Sequence, residues 1–232
     1  MSLLTVVQKS AARLGLAEPD SVISNTEQNA VTLLSFANQE GIELARRATW
    51  QALTKEQTFV TVAAAAQTSS IPSDFEWYIP ETMFNRTSRR RVVGPLSSEE
   101  WQQIQSSLIT RVNPAFRIRG NTILITPTPT AGNTVAYEYI SNQWCESSGG
   151  TDQSAWAADT DVGLLDEELM TLGIVWRWKK AKGFDYSEEF RTYELQVAQK
   201  ILRDGSKQRL SMDRVPADRV PHAPQTPETI VF

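Results

Sequence analysis

Four arginines within six residues, Arg86, Arg89, Arg90 and Arg91, are the densest group in this 232-residue sequence able to take part in recognition chemistry. A guanidinium offers a planar fork of N–H donors that pairs bidentately with a carboxylate or a phosphate. The segment therefore suits an acidic protein surface or a nucleic-acid backbone, and it suits a solvated basic loop as well. Two acidic pairs, Glu99-Glu100 and Glu167-Glu168, are the obvious place to look for acid–base chemistry. Both stand where helices are expected to begin, and carboxylates belong there for capping and dipole reasons. Neighbours on a helix also point about 100° apart, so neither pair is a dyad by itself.

Other chemistries have little to work with. Cys145 and His222 are the only cysteine and the only histidine. No intramolecular disulfide, thiolate-built zinc site or histidine cluster can be assembled from them. A Ser-His-Asp triad would have to use His222, which lies in a proline-rich tail. Neither GxGxxG nor GxxxxGK[ST] occurs, so no nucleotide-driven task is expected. The net charge of −4 argues against a general nucleic-acid binder. No run approaches the roughly 20 apolar residues of a membrane span. The first residues lack the pattern of a signal peptide, so an unprocessed protein made in the cytoplasm is expected.

The elements that must position these residues follow from periodicity. Leu3, Leu4, Val7, Ala11 and Leu14 fall at helical spacing before Gly15. Ser24-Asn25-Thr26-Glu27 reads as a capping box opening a helix to about Trp50. Its expected buried stripe is Val31, Leu34, Ala37, Leu44, Ala45 and Ala48, with Glu40, Glu43, Arg46 and Arg47 on the solvated side. Thr58 to Ala63 reads as a strand, with Thr68 to Ile71 pairing back on it before Pro72. Arg86 to Val93 reads as extended chain. Ser97 to Glu100 forms a second capping box, and the short helix that follows carries Trp101, Ile104 and Leu108 on one face. Phe116 to Ile125 reads as a hairpin about Gly120-Asn121, and Thr134 to Ser141 as a strand. Glu146 to Thr160 reads as a loop with little to bury. A helix from about Asp161 carries Leu165, Leu169, Leu172 and Trp176, and closes at Gly183 behind Arg177, Lys179, Lys180 and Lys182. Another opens at Asp185 to Glu188, with Phe190, Tyr193, Val197 and Ile201 facing the core. Residues 206–232 carry Pro216, Pro221, Pro224 and Pro227 and end on Ile230-Val231-Phe232, an apolar tip on a polar tail.

The stretch Phe84-Asn85-Arg86-Thr87-Ser88-Arg89-Arg90-Arg91-Val92-Val93-Gly94-Pro95-Leu96-Ser97 resembles a bacteriophage head–tail adaptor family. So do Glu100-Trp101, Phe116 to Gly120, Leu124 to Pro127, Tyr137 to Ser141 and Trp144. The resemblance implies a ring, usually of twelve copies, docked beneath a portal protein and offering a platform to the next tail component. Double-stranded DNA would pass through its channel without sequence-specific binding. It also implies a C-terminal segment that grips the portal, here with Arg214, Arg219, Ile230, Val231 and Phe232 as contacts. Twelve copies at −4 each would carry about −48, and an acidic wall would let DNA slide.

The expected fold is α+β: a bundle of N- and C-terminal helices (1–56 and 161–205), a β-rich insertion (57–160) and an extended portal-docking tail (206–232). The expected function is structural and not enzymatic, without cofactor, metal or membrane, at the head–tail junction of a virion. Arg86, Arg89, Arg90 and Arg91 are the expected polar contacts to portal or neighbouring subunit. A more distal tail stopper or terminator, a tail-associated peptidoglycan hydrolase and a host regulatory DNA-binder are the alternatives.

Overall fold

The fold is that of a computed structural model, which describes residues 2–107 and 112–205. It is mixed α and β, with its principal contacts running helix to helix or strand to strand. Helix α1 (Leu3–Leu14) is capped by Ser2, whose Oγ accepts from the Thr5 amide, and ends on Gly15 at φ 68°. Only glycine adopts that left-handed conformation without steric cost. Helix α2 (Gln28–Arg47) starts without a side-chain cap. Ser24 does not open it as expected: its hydroxyl turns to Ser21, and Asn25 Oδ1 accepts from the Glu27 amide instead. The helix also stops before Trp50, whose indole folds back to donate to the Leu44 carbonyl at 2.7 Å.

A 3-10 turn (Gln51–Leu53) leads into β1 (Thr54–Val60), β2 (Ala66–Gln67), β3 (Phe75–Tyr78), β4 (Phe84–Asn85) and β5 (Arg90–Arg91). After α3 (Ser98–Ser106) come β6 (Ala115–Arg119), β7 (Thr122–Thr126), β8 (Thr134–Ser141), β9 (Cys145–Glu146), β10 (Asp152–Gln153) and β11 (Val162–Gly163). Helices α4 (Glu167–Lys182) and α5 (Ser187–Asp204) complete the described chain. Strand β8 is the spine of a five-stranded sheet, with β1 on one edge and β3 and β4 on the other. Strands β6 and β7 form the expected hairpin about Gly120, at φ 58°.

The second strand pairing departs from expectation. Residues Thr68 to Ile71 do not return to β1; β2 pairs with β7 instead. Gln67 explains the turn, because its buried amide satisfies Val62 N–H and the Ala64 carbonyl, closing a tight loop that directs the chain away. Edge β1 takes β8 over a seven-residue register from Thr54↔Ile140 to Val60↔Thr134. Nor is Arg86 to Val93 one extended run. It is the turn and return strand of the β4–β5 hairpin, with Phe84↔Arg91 and Asn85↔Arg90 paired.

Two hydrophobic clusters result. In the first, Leu3, Val7 and Ala11 of α1, Leu33, Ala37 and Leu44 of α2, and Tyr193 and Val197 of α5 meet Leu169, Met170 and Ile174 of α4. Helix α4 packs against α1, α2 and α5, so it is buried on most sides and not along one stripe. It begins behind the Asp166 cap and not at Asp161, which is a buried loop residue accepting from the Ala157 and Ala158 amides. Trp176 is only half-buried, and Phe190 and Ile201, expected on the core face, are exposed. The loop from Glu146 to Thr160 buries more than its composition suggests: Trp156 stands edge-on to Trp144 at 5.1 Å. Trp144 lies so close to Gly41 that a Cβ there would fall 2.4 Å from its ring.

The second cluster lies between the sheets. Val135, Tyr137 and Tyr139 of β8 meet Phe59, Tyr78, Met83, Val92, Phe116, Ile123 and Ile125. Alternation along β8 joins the two clusters, since Tyr139 faces the second and its neighbour Ile140 the first. The capping box of α3 forms as expected, with Trp101 buried on its core face; Leu108 lies outside the described residues.

Candidate interaction site

The four arginines do not act as one patch. The β4–β5 turn is built by Asn85, whose Oδ1 accepts from the Ser88 amide at 2.9 Å, and by Thr87, whose Oγ1 accepts from the Thr134 amide at 2.9 Å. Arg89 sits at φ 54°, the left-handed residue that reverses the chain. Arg86 is drawn down onto Glu56 of β1 at 2.5 Å, and Arg91 onto Glu81 at 3.1 Å. Arg89 and Arg90 are exposed and make no ion pair among the described residues. Four positive charges set against Glu56 and Glu81 leave the hairpin at +4 − 2 = +2. Two guanidiniums therefore hold the hairpin on the sheet, and two are presented to solvent at its tip.

Three of the four residues in the acidic pairs have structural partners. Glu100 closes the capping box, accepting from the Ser97 amide at 2.8 Å while Ser97 Oγ accepts from the Glu100 amide at 3.2 Å. Glu167 and Glu168 bind Lys9 and Arg13 of α1, each at 2.7 Å, fastening the start of α4 to α1. Cys145 is buried beside the Gln153 carbonyl. Burial, aided by the charges of Asp161 and Asp152, pushes its thiol up to about 12, so it stays protonated and unreactive.

Two polar clusters escaped the sequence reading. Asp74 accepts from Lys55 Nζ at 2.9 Å, Ser141 Oγ at 2.8 Å and Tyr139 OH at 3.0 Å. Lys55 also reaches Asp152 at 2.7 Å and Gln143 at 3.0 Å. Serine, lysine, aspartate and tyrosine in one cluster are the raw materials of acid–base or nucleophilic chemistry. Their charge states are locked instead. Burial tends to raise the Asp74 carboxyl, but the bonds from Lys55, Ser141 and Tyr139 outweigh it and hold it below the usual range. Burial tends to lower the Lys55 ammonium, yet Asp152 and Asp74 keep it above the usual range. Neither group is placed to exchange protons near neutrality, and the cluster acts as a clasp between β1, β8 and the loops before β3 and around β10.

The other cluster corrects an expectation outright. Glu40 is fully buried, not solvated, and is ion-paired to Arg177 of α4, which is 5% exposed. Tyr193 of α5 donates to Glu40 at 2.7 Å, and Arg177 also reaches Glu43 at 2.5 Å. The observed buried line of α2 runs Ala30, Leu33, Ala37, Glu40, Leu44 and passes through the carboxylate, while Val31 is exposed. That alignment at helical spacing was the available signal. Gly173 makes the burial possible: a Cβ there would lie 2.1 Å from the carboxylate carbon. Burial pushes the Glu40 carboxyl above the usual range, against the pull of Arg177 and Tyr193. Arg47 extends the network, standing over the Tyr193 ring and binding Glu194 at 2.7 Å.

An apolar cleft of about 350 Å³ lies where the end of α2 meets β3, lined by Ala45, Ala48, Ile140 and the 63%-exposed Trp77. Among the described residues no group of three or more His, Cys, Asp or Glu side chains is placed to hold a metal, and no helix is long and apolar enough to cross a membrane. Arg214, Arg219, Ile230, Val231, Phe232 and His222 lie outside the described residues.

The family described as SU10 adaptor protein matches residues 1–224, which takes in every described element. No curated protein matches the sequence.

Proposed function

Because this chain belongs to the SU10 adaptor protein family, we propose that it is a structural head-to-tail adaptor of a bacteriophage virion. It assembles as a ring of twelve copies between the portal protein and the next tail component, and extends the channel through which double-stranded DNA leaves the head. The single observation that carries this reading is the family match from residue 1 to residue 224. The fold supports it in kind. Many of its carboxylates serve as caps, clasps and ion pairs, and its exposed features are those of a binding protein: a basic hairpin tip and a tryptophan beside an apolar cleft.

We divide the chain into a helical unit from 1–56 and 161–205, a β-rich unit from 57–160, and a portal-docking segment from 206–232. Residues Ile140, Trp144, Cys145 and Trp156 of the β-rich unit are shared with the helical core. In this reading the helical unit makes ring contacts, and the tail, through Arg214, Arg219 and the tip Ile230-Val231-Phe232, grips the portal.

The test is mass photometry of the chain alone and with the portal ring of the same phage. A gain close to twelve subunits on the portal, lost on deleting residues 206–232, supports the reading. A chain that ignores the portal but binds tail-tube subunits is a stopper or terminator instead. A truncated chain that assembles with normal affinity removes the role given to the tail.

A further inference from the structure

Arg89 and Arg90, at the tip of the β4–β5 hairpin, are exposed and have no ion-pair partner among the described residues. The hairpin that carries them is fixed in place by Arg86–Glu56, Asn85 and Thr87. A rigid tip of charge +2 on a chain of charge −4 is suited to a complementary acidic surface. The chain has one. From Leu14 to Ala45 it contains no lysine or arginine. Two of the carboxylates in that span, Glu40 and Glu43, are paired with Arg177. The other three, Glu18, Asp20 and Glu27, are exposed and without ion pairs among the described residues, all on the loop between α1 and α2.

That loop is as firmly held as the hairpin. Gln8 donates to the Pro19 carbonyl at 3.0 Å, and Asp159 accepts from the Val22 and Ile23 amides at 3.0 and 2.9 Å. Val22 is buried in the helical cluster, whereas Met83 and Val92 anchor the hairpin in the other. The two opposite charges are thus fixed on different bodies of the fold and do not meet within one chain. Among the described residues neither has an ion-pair partner in its own copy, so a second copy can supply one to each.

We propose that the Arg89–Arg90 tip of one copy docks on the Glu18–Asp20–Glu27 loop of a second copy. The contact joins unlike surfaces, so it is heterologous and propagates from copy to copy, closing into a ring where the rotation permits. It rests on the adaptor reading for its purpose but not for its chemistry.

The test is charge reversal in the full-length chain, with self-association followed by sedimentation velocity at low salt. Arg89→Glu/Arg90→Glu, or Glu18→Arg/Asp20→Arg/Glu27→Arg, should weaken self-association by about tenfold or more while leaving the far-UV circular dichroism spectrum of a folded chain. A chain carrying all five reversals should associate again, and the wild-type contact should weaken as salt rises. Arg89→Ala/Arg90→Ala provides a milder variant should the reversals disturb folding. Self-association indifferent to either reversal, no recovery with all five, or a wild-type chain that stays monomeric overturns the proposal. So does loss of binding to a duplex DNA probe with self-association intact, which would assign the tip to phosphates. Portal binding is scored separately: its absence in the wild type counts against the adaptor reading and leaves this contact standing.

Discussion

Arg177→Met should strand the Glu40 carboxylate. Glu40 is 0% exposed and Arg177 5%, so the pair is shielded from water. After the substitution the remaining donor is the Tyr193 hydroxyl at 2.7 Å, and the Gly173 backbone closes off another side. Breaking a buried pair by removing one partner costs about 3–5 kcal/mol. With a urea dependence of about 2 kcal/mol per molar, the unfolding midpoint should fall by roughly 1.5–2.5 M. The assay is urea unfolding followed together by far-UV circular dichroism and tryptophan fluorescence. Trp176, one of seven tryptophans, has its ring 4.5 Å from the Arg177 guanidinium and adds this site to the second signal. The pH dependence has a definite sign. Without Arg177, burial raises the folded-state pKa of Glu40 further above its unfolded value. The folded state then favours the protonated carboxyl, and stability falls as pH rises through the shifted value. The deficit should therefore be larger at pH 8 than at pH 5. Glu40→Gln/Arg177→Met removes the stranded charge and should recover at least half of the loss, because paired removal of a buried ion pair is often close to neutral. A midpoint shift below about 0.5 M in Arg177→Met would refute the reasoning, as would a deficit independent of pH or a double variant less stable than the single one.

Three further outcomes follow from the geometry. Gly173→Ala places a Cβ 2.1 Å from the Glu40 carboxylate carbon and should cost about 1–3 kcal/mol by overpacking, read as a lower thermal midpoint. Asp74 has a folded pKa below its unfolded one, so its contribution is present above the ordinary carboxylate range and lost as pH falls through it; Asp74→Asn should remove about 1–2 kcal/mol at pH 7 and flatten that acid limb. Cys145 should react with a thiol reagent at pH 8 only after denaturant is added, and prompt labelling of the native protein would contradict its burial and raised pKa.

Where a feature depends on a few neighbouring residues, it was legible. The Gly15 and Gly183 caps, the Ser97–Glu100 capping box, the Gly120 hairpin and the strand Thr134 to Ser141 all stand where local pattern puts them, although that strand is buried on both faces. Ser24 shows the limit of that logic. Its sequence suits a capping box as well as Ser97 does, but Asp159, far along the chain, holds Val22 and Ile23 and fixes how the loop enters α2. At the candidate site, the arginine cluster was visible in composition. Its division into two anchoring and two exposed side chains was not, since that depends on Glu56 and Glu81 lying within reach after folding.

Sequence by itself determined the helix–strand–helix order, the acidic charge balance, and the poverty in cysteine and histidine that excludes thiolate-built zinc sites and intramolecular disulfides. It did so because periodicity, capping and composition are properties of short stretches or of whole-chain sums. Tertiary structure alone decided which edge each strand joins, why Ala66-Gln67 pairs with β7, and how Glu40 and Arg177, 137 residues apart, come to share a buried site between α2, α4 and α5. A side chain's burial is set by what lies opposite it, and for Glu40 that is the bare backbone of Gly173 with Arg177 one turn further along α4.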